Sequence, residues 1–216
     1  MDLPIPLKRP RGRPRGFDRD VALARAIQVF WEKGYEAASM QDLLTAMEIS
    51  SPSLYAAFGD KEGLFLEAVQ RYHANVREEC AGCDAATARE QIEGLLTELA
   101  TLFTDRSHPP GCLAVMALVT APPTERCQRL IAEQRAEGKA RLRSRIERGM
   151  KEGDLPRDTD AAMLAEFYGA VIGGMALQAR EGATRKTLLA MVQTAMRAWP
   201  EAPAKHTSAR KVRAAA

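Results

Sequence analysis

The sequence predicts an all-α chain: a three-helix helix-turn-helix unit followed by a larger helical body, about nine helices in total. Apolar residues recur three and four positions apart through most of residues 17 to 199, and no segment shows the strict alternation of a strand. Capping residues and Pro or Gly breaks divide that pattern into helix-length pieces. With 46% apolar and 27% charged residues, 216 residues can bury an adequate core. The pattern divides the chain into a basic arm (1–16), a helix-turn-helix unit (17–65), a helical body (66–199) and a basic tail (200–216). Both ends are expected to be disordered.

The first sixteen residues, MDLPIPLKRPRGRPRG, alternate Arg with Pro and Gly and cannot be helical. Arg11, Arg13 and Arg15 are spaced like the arginines of an AT-hook, which lie in a narrow minor groove. A basic arm that only raises local affinity is the alternative. The first helix is expected from a cap at Asp18 to Lys33, ended by Gly34 in a left-handed conformation. Ser39 caps the second, with Asp42 three positions on, and Met40, Leu43, Leu44 and Met47 form its apolar stripe. After a break at Glu48 and Ile49, Ser51 is read as a cap with Pro52 at the first helical position. Leu54 and Phe58 are the buried stripe of this third helix. Ser51, Pro52, Ser53, Ala56 and Ala57 leave an outward face small enough to enter a major groove.

The fourth helix opens at Lys61 and runs to about Cys80. Further helices are expected at about 84–104, at CLAVMALVT, at about 123–149, 159–180 and 184–199. The Arg-rich stretch from Arg135 to Arg148 alternates with Glu at helical spacing and reads as a solvated, ion-paired face. In the next helix Ala165, Gly169 and Gly173 recur every four residues. Interior glycine costs about 1 kcal/mol against alanine, so close approach to a second helix is the expected reason for them.

The run SLYAAFGDKEGLF, preceded by FWEKGYEAASMQDL, resembles the DNA-binding domain of the TetR family of bacterial transcriptional regulators over roughly residues 17 to 72. The resemblance rests on Phe30, Gly34, Tyr35, Ser39, Leu54, Tyr55, Phe58 and Lys61. Glu48 stands where the family usually carries Gly, and positive φ there would cost about 1 kcal/mol. The resemblance implies base contacts or base proximity for Gln41, Ser51, Pro52 and Ser53, and phosphate contacts for Ser39, Tyr55 and Lys61. It also implies a homodimer through the last two helices, with Ala165, Gly169, Gly173, Leu188 and Val192 at the interface. A small-molecule effector cavity follows from the same resemblance, and Phe103, Met116, Met163, Phe167 and Tyr168 are the apolar candidates to line it.

The function expected is a cytoplasmic repressor, released from a palindromic operator in double-stranded DNA by an unknown small molecule. Residues 16 to 65 hold four basic and eight acidic side chains, whereas the first fifteen residues carry five basic against one acidic. Phosphate attraction is therefore expected mainly from the arm, the tail and a few placed residues. Cys80 and Cys83 have redox-motif spacing and make a thiol- or metal-responsive regulator the alternative. An architectural A·T-rich DNA binder is a further one. No motif calls for a cofactor or a structural metal, and the absence of Gly-rich phosphate loops, HExxH and GxSxG argues against an enzyme. The N-terminus lacks the apolar segment of a signal peptide, and no membrane partner is expected.

Overall fold

The computed structural model describes residues 17–80, 85–120 and 124–201. Arg11, Arg13, Arg15 and Cys83 lie outside the described residues. Among the described residues the chain is all helical: α1 (Arg19–Ala37), α2 (Met40–Met47), α3 (Ser51–Phe58), α4 (Lys61–Glu79), α5 (Ala88–Phe103), α6 (Leu113–Thr120), α7 (Glu125–Glu152), α8 (Ala161–Arg180) and α9 (Arg185–Ala195), the last continued by one 3-10 turn.

Local signals explain most of the boundaries. Asp18 caps α1 by accepting from the amides of Asp20 and Val21. Gly34, at φ 76 and ψ 175, breaks the regular helix where a stop was expected, and one more turn follows the kink. Ser39 and Asp42 form the complete capping box of α2. The cap of α3 is Ser50 rather than Ser51. Ser50 is the extended residue whose hydroxyl accepts from the Ser53 amide, which moves Ser51 and Pro52 into the first turn. Thr87 and Glu90 close a capping box that starts α5 at Ala88, four residues later than expected. The seventh helix runs past Gly149 to a left-handed Gly153. Gly149 is an interior residue because Ala88 Cβ and Leu155 Cδ1 occupy the space a side chain would need.

Packing joins the head to the body through α4. Its first turns bury Leu64, Phe65, Leu66 and Val69. Phe65 meets Phe30 of α1 edge-on at 5.1 Å between centroids, and Tyr72 meets Trp31 at 4.8 Å. Gly63 is required for the close approach of α3, because a Cβ there would stand 2.3 Å from the Phe58 carbonyl oxygen. Arg19 fixes the same corner: it pairs with the Glu67 carboxylate at 2.7 Å, donates to the Ala57 carbonyl at 3.2 Å, and lies 4.4 Å over the Phe58 ring. In the body, α8 packs against α7 and α9. By length and composition α8 could cross a membrane, and 28% of its apolar window is buried inside the protein.

Glu48 ends α2 in the left-handed region at φ 57 and ψ 39, and its carboxylate pairs with Arg25 at 2.7 Å while remaining largely exposed. An exposed pair contributes only about 0.2–1 kcal/mol, comparable with or below the cost of the backbone conformation. Replacing Glu48 by Gly is therefore expected to leave stability unchanged or raise it by up to about 1 kcal/mol. A fall of more than about 1 kcal/mol in urea unfolding would show that the ion pair outweighs the strain.

Candidate nucleic-acid interface and ligand cavity

α3 buries Leu54 and Phe58 and turns Pro52, Tyr55 and Ala56 to solvent, with Tyr55 53% exposed. Ser51 and Ser53 are half-buried at its start. The Ser53 hydroxyl lies 2.9 Å from that of Ser50. On α2 the exposed Gln41 donates its amide to the Thr45 hydroxyl at 3.2 Å, so the two side chains form one polar patch. Ser39 is committed to the helix end: its hydroxyl accepts from the Asp42 amide at 3.0 Å and donates to the Asp42 carboxylate at 2.7 Å. Lys33 reaches the same carboxylate at 2.8 Å. The bond from Lys33, followed by those from Ser39, lowers the Asp42 pKa to about 2.

Lys61 opens α4 with its ammonium 4.4 Å from the centroid of the Tyr35 ring. That cation–π contact offsets the unfavourable placement of a cation at a helix N-terminus, and a ring face consumes none of the three ammonium hydrogens as a lone-pair donor would. Tyr35 is itself held against Phe30 and Phe65. Pro52 stands in the first turn of α3, Tyr55 one turn further on, and Lys61 at the start of α4. Thr45 was not anticipated; its position one helical turn from Gln41 is the signal that could have found it.

Behind the head, α4, α5, α6, α7 and α8 line a half-open cavity of about 450 Å³. Of the apolar residues expected to line it, Phe103 does so and Met116, Met163, Phe167 and Tyr168 do not. Tyr168 is fully buried in the core, with its hydroxyl donating to the Ala195 carbonyl at 3.4 Å, and burial pushes its pKa up to about 12. Met163 and Phe167 are on the outer surface at 64% and 39% exposure, and Met116 is half-buried on α6. The rotation of α8 explains the difference, since it is Gly169, Ile172 and Gly173 that border the cavity. A Cβ at either glycine would meet nothing within 4 Å, so within one chain these glycines leave room.

The same rotation bears on the expected dimer face. Ala165, Leu188 and Val192 are 2%, 0% and 2% exposed within a single chain and form its own core. The apolar surface that α8 leaves outside is instead Met163, Phe167 and Leu177, the last 50% exposed. Cys80 and Cys112 are buried and border the cavity. Burial pushes the Cys112 and Cys127 thiols up, toward the protonated form. Burial, then Arg141, pushes the His73 pKa down. No group of three metal-ligating side chains occurs among the described residues. Sequence reasoning missed the cavity wall on α7, where Arg135, Gly138, Leu142 and Arg145 line it. Their spacing of three, four and three was the available signal.

The sequence profile of the bacterial regulatory proteins, tetR family, matches residues 22–68. The HTH-type transcriptional repressor ComR of Escherichia coli (strain K12) is 34% identical over 199 residues, covering 90% of this chain and 95% of that protein. The chain belongs to the TetR family. Within the family, the HTH-type transcriptional repressor BdcR of E. coli (strain K12) is 28% identical over 83% of this chain and 87% of its own. Among solved TetR-family structures, a cysteine mutant of the regulator CifR, complexed with 26-base-pair double-strand operator DNA, superposes with a TM-score of 0.81 at 46% identity. It covers 88% of this chain and 100% of that one.

Because the folded pKa of Asp42 lies near 2 against an ordinary 3.8, its contribution to stability is present above about pH 4 and is lost as pH falls toward 2. The difference in urea midpoint between the wild type and Asp42→Asn should therefore shrink from pH 5 to pH 3. A constant difference over that range would remove the carboxylate from the helix-capping role assigned to it.

Proposed function

We propose that this TetR-family chain is a DNA-binding transcriptional repressor, acting in the cytoplasm as a homodimer and released from a palindromic operator by a small molecule in the cavity. The observation that carries the reading is the outward face of α3, where Pro52, Tyr55 and Ala56 are exposed over a Leu54 and Phe58 core. A short helix with small side chains on its free face can lie close to base edges in a major groove. Gln41, Ser51, Pro52 and Ser53 are assigned to the bases or their immediate surroundings, and Ser39, Tyr55 and Lys61 to phosphates. Arg11, Arg13 and Arg15 are assigned to an adjoining minor groove. The chain performs no catalytic step in this reading.

For the dimer we assign Met163, Phe167 and Leu177, which fall four and ten residues apart on α8 and are exposed in the single chain. Gly174 lies between Phe167 and Leu177, and an added Cβ there would meet nothing within 4 Å. Those features suit the close crossing of a partner helix. The protonated, buried states favoured for Cys112 and Cys127 disfavour thiolate chemistry at those two positions. An architectural DNA binder has no use for a 450 Å³ cavity.

The test is gel-shift binding of the purified protein to DNA from its own upstream intergenic region. Saturable, sequence-dependent binding is expected. Lys61→Ala should weaken binding to all operator variants alike and lower the salt slope by about one. Gln41→Ala should relax preference at one base pair, by about 1–3 kcal/mol of discrimination. If Lys61→Ala affected one variant alone, its phosphate assignment would be wrong. Phe167→Glu combined with Leu177→Glu should halve the mass measured by light scattering and reduce operator affinity together. A dimer surviving both substitutions would place the interface elsewhere.

A further inference from the structure

The cavity has two chemically different sides. Leu95, Leu99 and Phe103 of α5, Val115 of α6 and Ile172 of α8 give it apolar walls, whereas α7 contributes Arg135, Lys139, Arg141 and Arg145. Arg77 of α4 also lines it, which makes five fixed cations against a single lining carboxylate, Glu166. The pairing within the chain is incomplete. Glu166 is used by Lys139 at 2.7 Å, and Glu137 is shared between Arg77 at 3.4 Å and Arg141 at 3.2 Å. Among the described residues no carboxylate pairs with Arg135 or Arg145. Nη1 of Arg145 is moreover buried without a hydrogen-bond partner. A buried guanidinium nitrogen in that condition carries an uncompensated desolvation penalty and calls for an acceptor.

The glycines point the same way. Gly138 sits on α7 between Arg135 and Arg141, and a Cβ on it, on Gly169 or on Gly173 would meet nothing within 4 Å. Three helix-interior glycines therefore enlarge a cavity that ordinary side chains would partly fill, at a cost to helix stability of about 1 kcal/mol each.

We propose that the cavity takes an amphipathic organic anion, an aliphatic or aromatic carboxylate. Arg145 and its neighbouring α7 cations hold the carboxylate, and the α5, α6 and α8 side chains surround the apolar body. Guanidinium and carboxylate form charge-assisted, frequently bidentate hydrogen bonds, strongest where water is excluded. A cation would meet the charges of Arg135 and Arg145, which no carboxylate among the described residues cancels, and a neutral body would leave those charges unanswered. This inference deepens the assignment of the cavity as an effector site and rests on it.

The probes are decanoate, decan-1-ol and decylamine, which share a ten-carbon body, titrated below micelle formation into the full-length dimer by isothermal calorimetry without DNA. Decanoate should bind at least tenfold more tightly than the alcohol, and the amine weakest. Arg145→Met should abolish the preference for decanoate while leaving the alcohol unchanged. Arg145→Lys should retain part of the preference, which separates loss of charge from loss of fold. Gly138→Leu, which fills the cavity, should weaken decanoate and decanol together. Equal or tighter binding of the alcohol or amine, an unaltered preference in Arg145→Met, or no saturable binding of any probe would overturn the inference. The same ligands are then added to the operator complex. Decanoate that binds but does not release DNA leaves the ligand class standing and defeats the release mechanism, whereas intact operator binding with no carboxylate preference does the reverse.

Discussion

A single helix has to satisfy two cores at once, and the rest of the structure depends on that constraint. The first turns of α4 are buried against α1 and α3 by Leu64, Phe65 and Val69, while Tyr72 lies both against Trp31 and at the cavity. Fully burying a side chain of this size stabilises by roughly 1.5–3 kcal/mol, so neither end of α4 can leave its neighbours cheaply. The Arg19 contacts to Glu67, Ala57 and Phe58 set the angle at which α3 meets α4. A second link lies further on: the Trp31 ring stacks on His108 at 4.3 Å, and Arg180 at the end of α8 donates to the Glu32 carbonyl. Cavity walls and α3 are therefore parts of one packed assembly, and close-packed interiors transmit small displacements instead of absorbing them.

The same economy governs α8, which presents three different surfaces. One side, with Tyr168 and Met175, is core; a second, with Gly169 and Gly173, borders the cavity; a third, with Met163, Phe167 and Leu177, is apolar and exposed. No side is charged enough to be an ordinary solvated helix face, which is why α8 is the one helix among those described with the length and hydropathy of a membrane span. Isolated exposed apolar residues need no explanation, but a row of them at helical spacing does.

Much of this was legible in the sequence because the deciding signals were local. Asp18, Ser39 with Asp42, and the Leu54 and Phe58 stripe act within one or two turns, and the helices they define are present. Ser50 and Ser51 have the same capping chemistry, and only backbone φ and ψ separate them. The cavity was less legible. Which side of α8 faces inward depends on how its neighbours pack on it, and periodicity alone does not separate the exposed Met163 and Phe167 from residues that line the cavity. The arginines of α7 pose a related difficulty: the pairing with Glu137 and Glu147 that marks a solvated face is real, yet Arg145, between them, borders the cavity.

The charge of the head, finally, acquires a physical meaning from its pairs. Residues 16 to 65 contain only Arg19, Arg25, Lys33 and Lys61 as cations, against eight carboxylates. Arg19, Arg25 and Lys33 each pair with a carboxylate, of Glu67, Glu48 and Asp42 respectively. Lys61 instead rests on the neutral ring of Tyr35 and forms no salt bridge among the described residues, although Asp60 and Glu62 flank it in the sequence. A surface of this kind attracts phosphate weakly at long range, because the excess carboxylates repel the backbone within about a Debye length of 8–10 Å. Under the proposed assignments, orientation on the duplex falls to short-range contacts at α3 and Lys61, and long-range attraction to the five basic residues that precede α1. Dividing the two tasks lets an acidic head discriminate by fit, since there is little nonspecific attraction of its own to override a poor match.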